Sequence, residues 1–438
     1  MIKFKGHELT DPLLEASLNF SSHAAALGAI ALLAPCSIAA DDKPQAGRWR
    51  ELPETAAPPM DPERIEQLES IGYLRGSREE ARTGISVHVP AKAYQGLNLY
   101  ASAHAPEAIL MDMEGRRLHT WHLPYEDAFG PPDPNSAGQP KRDQANAQWW
   151  RRIHLFPNGD LLAIFEGLGV VKIDKDSKLL WSNPLQAHHD LEVQPNGDIY
   201  VLSRVAGRIP RIHPSAYILE DFISVLGPDG AEKQRVSLLE AFENSPHREL
   251  IFEGKRKHGD LFHTNTVTVL DGRIAATSPQ FAKGRVLTSM NALGVVAVVD
   301  LPSRSIVWVR KTAPVGQHDP QILANGNLLL FENHEKSGHS QVVEIDPADS
   351  SVRWSYGGSD EQPLYSKFLG AVQRLPNGNT LITESDAGRA VEVTPQGQIV
   401  WQFHNPGRGG DRDQYIATLP EVLRLPANFA APWSKGSP

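Results

Sequence analysis

A repeated β-hairpin pattern constrains the fold of this 438-residue chain more than any other feature of its sequence. An apolar run, an Asn-Gly or Asp-Gly turn and a second apolar run occur together five times. The copies are HLFPNGDLLAIF (154–165), EVQPNGDIYVL (192–202), TVTVLDGRIAAT (266–277), QILANGNLLLF (321–331) and QRLPNGNTLIT (373–383). Glycine accepts the positive φ that a tight hairpin needs, so each copy predicts two antiparallel strands.

A second kind of hairpin alternates with the first and usually ends in tryptophan. Its copies are ILMDMEGRRLHTW (109–121), VVKIDKDSKLLW (170–181), VAVVDLPSRSIVW (296–308), VVEIDPADSSVRW (342–354), VEVTPQGQIVW (391–401) and, without tryptophan, ISVLGPDGAEKQRV (223–236). Two hairpins make a four-stranded antiparallel sheet, and six such sheets in series predict an all-β, six-bladed β-propeller. The tryptophans are expected to pack between blades.

The spacing of the repeats predicts two irregularities in the ring. The glycines of the first-type hairpins are 38, 75, 54 and 52 residues apart. The long second interval predicts an insertion in blade 3, over about 204–260. Residues 97–122 provide only part of blade 1, so we expect a strand within 415–425 to close the ring.

The N-terminal region has a different composition and predicts export. We expect a signal peptide or membrane anchor over 1–40, because residues 24–40 form an uncharged, mostly apolar run after two lysines. A linker with a short helix starting at Asp61 is expected over 41–95, and the propeller over 96–438. This arrangement predicts a periplasmic or secreted protein, with membrane anchoring by 24–40 as the alternative.

Composition excludes several classes of function. The formal net charge of −9 argues against a large nucleic-acid-binding surface. The single cysteine, Cys36, cannot form an intrachain disulfide or a cysteine-based zinc site. Histidine, with 17 copies, is the reactive side chain in surplus.

Three histidines fall at equivalent positions of consecutive blades. His189 and His318 each stand eight residues before the glycine of their hairpin, and His263 stands nine before its own. Arg151 occupies the same place in blade 2, and Gly370 occupies it in blade 6, where it would leave room for a ligand. The first strand of a blade lines the central channel, so these side chains are expected to meet at the channel mouth.

Such a cluster has three chemical uses that the spacing alone does not separate. A neutral imidazole can attack an electrophile while its neighbours act as acid and base. Three imidazoles can hold a metal ion such as Zn²⁺ with one open position. Protonated histidine and arginine can also bind an anion without any chemistry.

Around these histidines the sequence resembles the bacterial arylsulfotransferase family. The segments HHDLEVQPNGDIYVL, FHTNTVTVL and QHDPQILANGNLLLFEN are similar to the three histidine-bearing blades of that family, in the same order. The resemblance runs from about Gly96 to Pro406. It implies a secreted six-bladed propeller that moves a sulfuryl group from aryl sulfates to phenols, without a nucleotide donor or other cofactor.

The resemblance also implies roles for individual residues. His318 takes the place of the nucleophile that forms a sulfohistidine, and His189 and His263 take the places of the two other histidines. Asn265 takes the place of a substrate-binding asparagine. A metal-dependent propeller hydrolase or lyase and a non-catalytic ligand-binding propeller stay as the alternatives.

One expected residue is missing. The resemblance places a sulfate-binding arginine within 286–300, and no arginine stands there. Arg151 and Arg152 are the predicted substitutes, and Arg204 and Arg285 are further candidates. Whether the enzyme turns over depends on such a replacement.

Overall fold

The computed structural model describes residues 80–131, 147–254, 258–312, 316–334, 337–409 and 413–434. The predicted signal or anchor segment 1–40 and the helix predicted from Asp61 lie outside these residues. In the part of the chain that is described, every helix is too short or too polar to span a membrane.

The described chain forms six antiparallel blades around a central channel, as the hairpin repeats predict. From the axis outwards, blade 1 consists of Glu421–Arg424, Asn98–Ala101, Glu107–Met111 and Arg117–His122. Blade 2 consists of Arg152–Leu155, Leu161–Phe165, Gly169–Ile173 and Leu179–Asn183. Blade 3 consists of Ala187–Val193, Ile199–Arg208, Tyr217–Leu226 and Glu232–Ser237.

The second half of the ring repeats this plan. Blade 4 consists of Thr264–Val269, Val286–Met290, Val295–Asp300 and Ser305–Lys311. Blade 5 consists of Gln317–Ile322, Leu328–Glu332, Gln341–Ile345 and Val352–Tyr356. Blade 6 consists of Ala371–Arg374, Thr380–Glu384, Arg389–Val393 and Ile399–His404, with Gly84–His88 as a fifth, outermost strand. That fifth strand falls within the segment predicted as linker.

Blade 1 is closed by the end of the chain, and this confirms the predicted closure. The strand Glu421–Arg424 pairs antiparallel with Asn98–Ala101 and becomes the innermost strand of the blade. A short ribbon of Arg408–Gly409 and Tyr415–Ile416 precedes it. The first and last strands of the described ring therefore share one sheet, which closes the ring.

The first hairpin of blade 4 differs from its prediction. Residues 273–277 do not form a strand, and the second strand is Val286–Met290, which follows a 3₁₀ helix at Pro279–Phe281. The ladder closes between Leu270 and Arg285, where the Leu270 N–H donates to the Arg285 carbonyl at 2.8 Å. The Asp-Gly turn at 271–272 thus begins a long loop rather than a tight hairpin.

Blade 3 carries the predicted insertion. Its second and third strands are ten residues long, and two helices, Leu238–Glu243 and Leu250–Glu253, follow its last strand. Ser237 caps the first helix by accepting a hydrogen bond from the Glu240 N–H. The insertion ends at Gly259–Asp260, which pairs parallel with the third strand of the blade.

Tryptophans at the outer strands join neighbouring blades, as predicted. Four of them donate their indole N–H to a backbone carbonyl of a hairpin in the next blade. The pairs are Trp121 with Gly159, Trp181 with Pro228, Trp354 with Pro395 and Trp401 with Met113. The repeated indole-to-carbonyl hydrogen bond explains why tryptophan ends so many of the second hairpins.

A further helix, Tyr125–Phe129, lies between blades 1 and 2 in the chain.

Candidate active site

The three predicted histidines lie at the leading ends of the innermost strands of blades 3, 4 and 5. The ladder slips at this point in each blade, with register shifts beside Val201, Thr264 and His318. His189 and His263 have φ of +57° and +49°, which L-residues rarely adopt. Irregularities of this kind redirect side chains at functional sites.

His318 is held in one tautomer by Asn333. The Asn333 amide Nδ2 donates to the carbonyls of Ser366 at 2.9 Å and Leu369 at 2.7 Å. Its Oδ1 is therefore the acceptor that faces His318 Nδ1 at 2.7 Å, so Nδ1 carries the proton and Nε2 the lone pair. Burial, together with the charge of Arg151, lowers the pKa of His318 to about 3, so the ring is neutral at pH 7.

His263 is held by a carboxylate from the blade 3 insertion. Its Nδ1 lies 2.6 Å from Asp260 Oδ2, and its backbone N–H donates to Asp260 Oδ1 at 2.9 Å. A carboxylate at this nitrogen fixes the tautomer and stabilises an imidazolium that forms on the other side of the ring.

His189 contacts a second histidine and a glutamate. Its Nδ1 lies 2.9 Å from His188 Nδ1 and 3.5 Å from Glu166 Oε1. The rings of His189 and His263 meet edge to face, with 5.0 Å between their centroids. Burial, with Arg151 as the next cause, holds the pKa of His189 well below its ordinary value. These neighbours show that His189 and His263 share one small volume.

Two of the candidate arginines border this cluster. Arg151 is 6% exposed, and its charge lowers the pKa of both His189 and His318. Arg204 is 3% exposed and lies 3.5 Å from Glu166 Oε1. Cationic side chains therefore border the histidines although 286–300 has no arginine.

Comparison with known proteins identifies the family. The pattern of the arylsulfotransferase (ASST) family matches residues 152–406, which is more than half of the chain. The chain belongs to the arylsulfotransferase family. This membership supports an aryl sulfotransferase function in general terms and implies small aryl sulfates and phenols as substrates. A comparison with curated proteins gives no significant match.

Solved structures also match the chain, at low sequence identity. One from Bacteroides caccae, of unknown function, is 11% identical, with a TM-score of 0.47, and covers 74% of this chain and 97% of its own. The β-propeller domain of Cps50 (Swd1) from Myceliophteria thermophila is 11% identical, with a TM-score of 0.43, covering 76% and 90%.

Two predicted replacements for the family's arginine lie outside the cluster. Arg152 is ion-paired with Asp190 at 2.5 Å, with Asp319 at 3.3 Å and with Glu421. Three carboxylates therefore engage the Arg152 guanidinium, and sulfate binding by Arg152 stays a prediction. Arg285 pairs with Asp300 at 3.0 Å in an outer part of blade 4.

Asn265 and Gly370 also have structural tasks that their predicted roles did not include. The Asn265 amide donates one hydrogen bond to the Gln317 carbonyl at 2.7 Å, directly before His318, so it supports the strand that carries His318; substrate binding by Asn265 stays a prediction. A Cβ on Gly370 would meet the Phe331 ring at 2.6 Å. The glycine therefore makes room for the Phe331 ring.

Sequence reasoning missed the residues that orient the histidines. Asp260, Glu166 and Asn333 each come from a loop or a strand end that is unremarkable in sequence. Two local signals were present: Asp260 stands three residues before His263, and His188 directly precedes His189. Among the described residues, no group of three or more His, Cys, Asp and Glu side chains has the geometry to hold a metal ion.

Proposed function

We propose that this protein transfers a sulfuryl group from an aryl sulfate to a phenol through a sulfohistidine at His318. The observation that carries the proposal is the Asn333 contact, because it leaves a lone pair on Nε2 of a buried, neutral imidazole. A neutral ring is the nucleophilic form of histidine. Family membership supports the same reaction class.

In the first half-reaction the His318 Nε2 lone pair forms a bond to sulfur. The bond between sulfur and the aryl oxygen breaks, and its electron pair leaves with the phenolate. The His318 ring carries positive charge while it holds the sulfuryl group, and the Asn333 Oδ1 accepts a hydrogen bond from its Nδ1–H, which stabilises that charge.

Arg151 and His263 hold the sulfuryl oxygens in this proposal. Arg151, a buried side chain whose charge acts on His318, supplies the cation, and cations of this kind stabilise charge on transferring oxyanions. The Asp260 carboxylate accepts a hydrogen bond from His263 Nδ1. When Nε2 is also protonated, its N–H is directed away from Asp260 and can donate to a sulfuryl oxygen. This pair replaces the arginine that is missing from 286–300.

His189 exchanges the proton. Its Nδ1 is occupied by His188, so Nε2 is the nitrogen left for the substrate. It protonates the leaving phenolate in the first half-reaction and deprotonates the incoming phenol in the second. The new phenolate attacks sulfur, the bond from sulfur to His318 breaks, and its electron pair returns to Nε2.

The decisive experiment separates transfer from hydrolysis and from binding. Purified protein is incubated with 4-nitrophenyl sulfate, with and without phenol, and nitrophenol release is followed with a search for a mass increase of one SO₃ on His318. We expect release that depends on phenol and is lost in His318→Ala. His122→Ala, which changes an exposed histidine of an outer strand, is the matched control and should retain activity.

Other outcomes would favour the alternatives. Release without dependence on phenol would indicate a hydrolase. One tightly bound metal ion per chain, lost together with activity on chelation, would favour the metal-dependent enzyme. No release from folded protein with measurable aryl sulfate binding would favour a binding propeller.

We also propose that the protein works outside the cytoplasm, held there or released after residues 24–40 direct export. The uncharged run of 24–40 supports this proposal. Fractionation of cells that express the full chain tests it, since recovery of the folded protein with cytoplasmic markers alone would contradict export.

A further inference from the structure

Two buried side chains, His188 and Asp221, follow one another from His189, and the reaction described above does not use them. His188 Nδ1 contacts His189 Nδ1 at 2.9 Å, and His188 Nε2 lies 3.7 Å from Asp221 Oδ1. The His188 and Asp221 side chains are only 1% and 2% exposed. His188 Nε2 is buried and has no hydrogen-bond partner among the described residues.

A buried pair that makes no hydrogen bond between its members costs folding free energy, so its presence points to a function. A buried nitrogen without a partner loses its hydration without compensation. The gap to Asp221 exceeds a hydrogen bond by only a few tenths of an ångström, and contacts that carry protons are often long before substrate binds. Small movements therefore complete a series of hydrogen bonds from His189 through His188 to Asp221.

The charges around His188 and His189 disfavour an imidazolium on either ring. Burial, and then Arg204, lowers the pKa of His188 to about 3, and Arg151 acts on His189 in the same direction. A proton can still cross two neutral imidazoles if each ring accepts it on one nitrogen and releases another from the second. Such a transfer changes both tautomers and creates no cation.

We infer that His188 and Asp221 are positioning residues that act through His189: they supply one proton in the first half-reaction and recover it in the second. This inference rests on the proposed function and deepens it. A ping-pong transfer gives one proton to the leaving phenolate and recovers one from the acceptor phenol, so the protein must supply that proton for as long as the sulfohistidine exists.

The proton balance closes at every atom. At rest Asp221 is protonated, His188 carries its proton on Nδ1 and His189 on Nε2. When His189 Nε2 protonates the leaving phenolate, His189 Nδ1 takes the His188 proton and His188 Nε2 takes the Asp221 proton. The acceptor phenol then gives its proton to His189 Nε2, and the same shifts run in reverse until Asp221 is protonated again.

The surroundings of Asp221 suit it as the last group of the proton relay. Burial, with the charge of Asp260 next, raises the pKa of Asp221 to about 7, so the carboxyl can hold or release a proton near neutral pH. Its Oδ2 accepts the Thr264 N–H at 3.0 Å, which leaves Oδ1 toward His188. The other charged or titratable groups that face this proton relay are Glu166, Arg204, Asp260 and His263.

The test compares donors whose phenols differ in acidity. Asp221→Asn keeps an oxygen for the Thr264 N–H but can neither release nor accept the relayed proton. With phenyl sulfate, whose phenol has a pKa of about 10, we expect the first half-reaction to slow about 100-fold or more. With 4-nitrophenyl sulfate, whose phenolate leaves without a proton, we expect less than about a threefold change.

Controls separate the relay from a structural effect. Ser224→Ala removes a buried hydroxyl from the same strand, where it contacts Ser203, and should leave both donors unaffected. His188→Asn should repeat the selective loss and serves as the test if Asp221→Asn does not fold. An equal loss with both donors, or no loss with phenyl sulfate, would overturn the relay.

Failure of the relay can be told from failure of the proposed function. A stoichiometric burst of nitrophenol and the sulfuryl adduct on His318 belong to the proposed function and should persist in Asp221→Asn. If wild-type protein forms no adduct, the proposed function and the relay both fail. If the adduct forms and the donor selectivity does not change, only the relay fails.

Discussion

Glu421 offers a sharp test of the electrostatics inside the channel. It lies on the strand that closes blade 1 and is 3% exposed. One carboxylate oxygen accepts a hydrogen bond from Arg152, which Asp190 and Asp319 also engage. The other oxygen has no partner among the described residues. Burial raises the pKa of Glu421 to about 7, and although Arg152 opposes the shift, the two aspartates add to it.

The sign of the stability effect follows from the two states. The ordinary pKa of the group is 4.5, so between pH 4.5 and about 7 the folded protein binds a proton that the unfolded chain has lost. The free energy of unfolding therefore falls as the pH rises through this window. The whole cost, about 3 kcal/mol, is present above the folded pKa and absent below the unfolded pKa.

Glu421→Gln removes this cost, because the amide keeps an oxygen for Arg152 and never ionises. We expect the free energy of unfolding of the variant, relative to wild type, to be about 3 kcal/mol more favourable at pH 8 than at pH 4.5. Urea unfolding followed by tryptophan fluorescence at both pH values measures it. A relative stability that stays constant or falls as the pH rises would refute the reasoning.

Glu344→Gln is a control of opposite sign. Burial raises the pKa of Glu344, but hydrogen bonds from Asn327 and Asn325 and the charge of Arg374 outweigh burial and hold that pKa below its ordinary value. Its ionised form is therefore stabilising above the unfolded pKa, and this contribution is lost as the pH falls through the folded pKa. The variant should be less stable than wild type at pH 8, with the deficit shrinking in acid.

Three further predictions follow from single contacts. Arg152→Met leaves three buried carboxylates without their cation and should lower the free energy of unfolding by about 3–5 kcal/mol, measured by urea unfolding, whereas an unchanged midpoint would contradict the ion cluster. Asn333→Asp places a carboxylate beside His318 and should raise its pKa, moving the acidic limb of the kcat/KM profile for 4-nitrophenyl sulfate to higher pH; an unmoved limb would argue against the Asn333 contact. Gly370→Ala forces a methyl group against Phe331 at a φ of +121° and should cost about 1–3 kcal/mol of stability in the same unfolding assay, and a neutral result would show that the ring yields.

Much of the fold could be predicted because its signals are local. An Asn-Gly or Asp-Gly pair between apolar runs determines a hairpin within about ten residues, and the repeats then give the number and order of the blades. The prediction was wrong at 273–277, where the backbone pairing of Leu270 with Arg285 turned an Asp-Gly hairpin into a loop. A local turn signal does not report which later strand completes the ladder.

The candidate site was predictable only in part. Equal spacing from the hairpin glycines picked out His189, His263 and His318, because register along a repeated strand carries over from blade to blade. The spacing placed Arg151 at the equivalent position of blade 2, and the adjacent Arg152 was a second candidate for the missing arginine. Alternation along the strand separates them, and only the structure shows Arg152 among its carboxylates.

The sequence by itself determined the six-bladed architecture, the closing strand and the three histidines, since each depends on periodicity along the chain. Only the tertiary structure decided their chemistry. Asn333 assigns the tautomer of His318, Asp260 contacts His263 from the end of the blade 3 insertion, and Asp221 approaches His188 from the third strand of blade 3. The physical reason is that tautomer and charge depend on neighbours within about 3–4 Å, and folding brings those neighbours from residues that no sequence period connects.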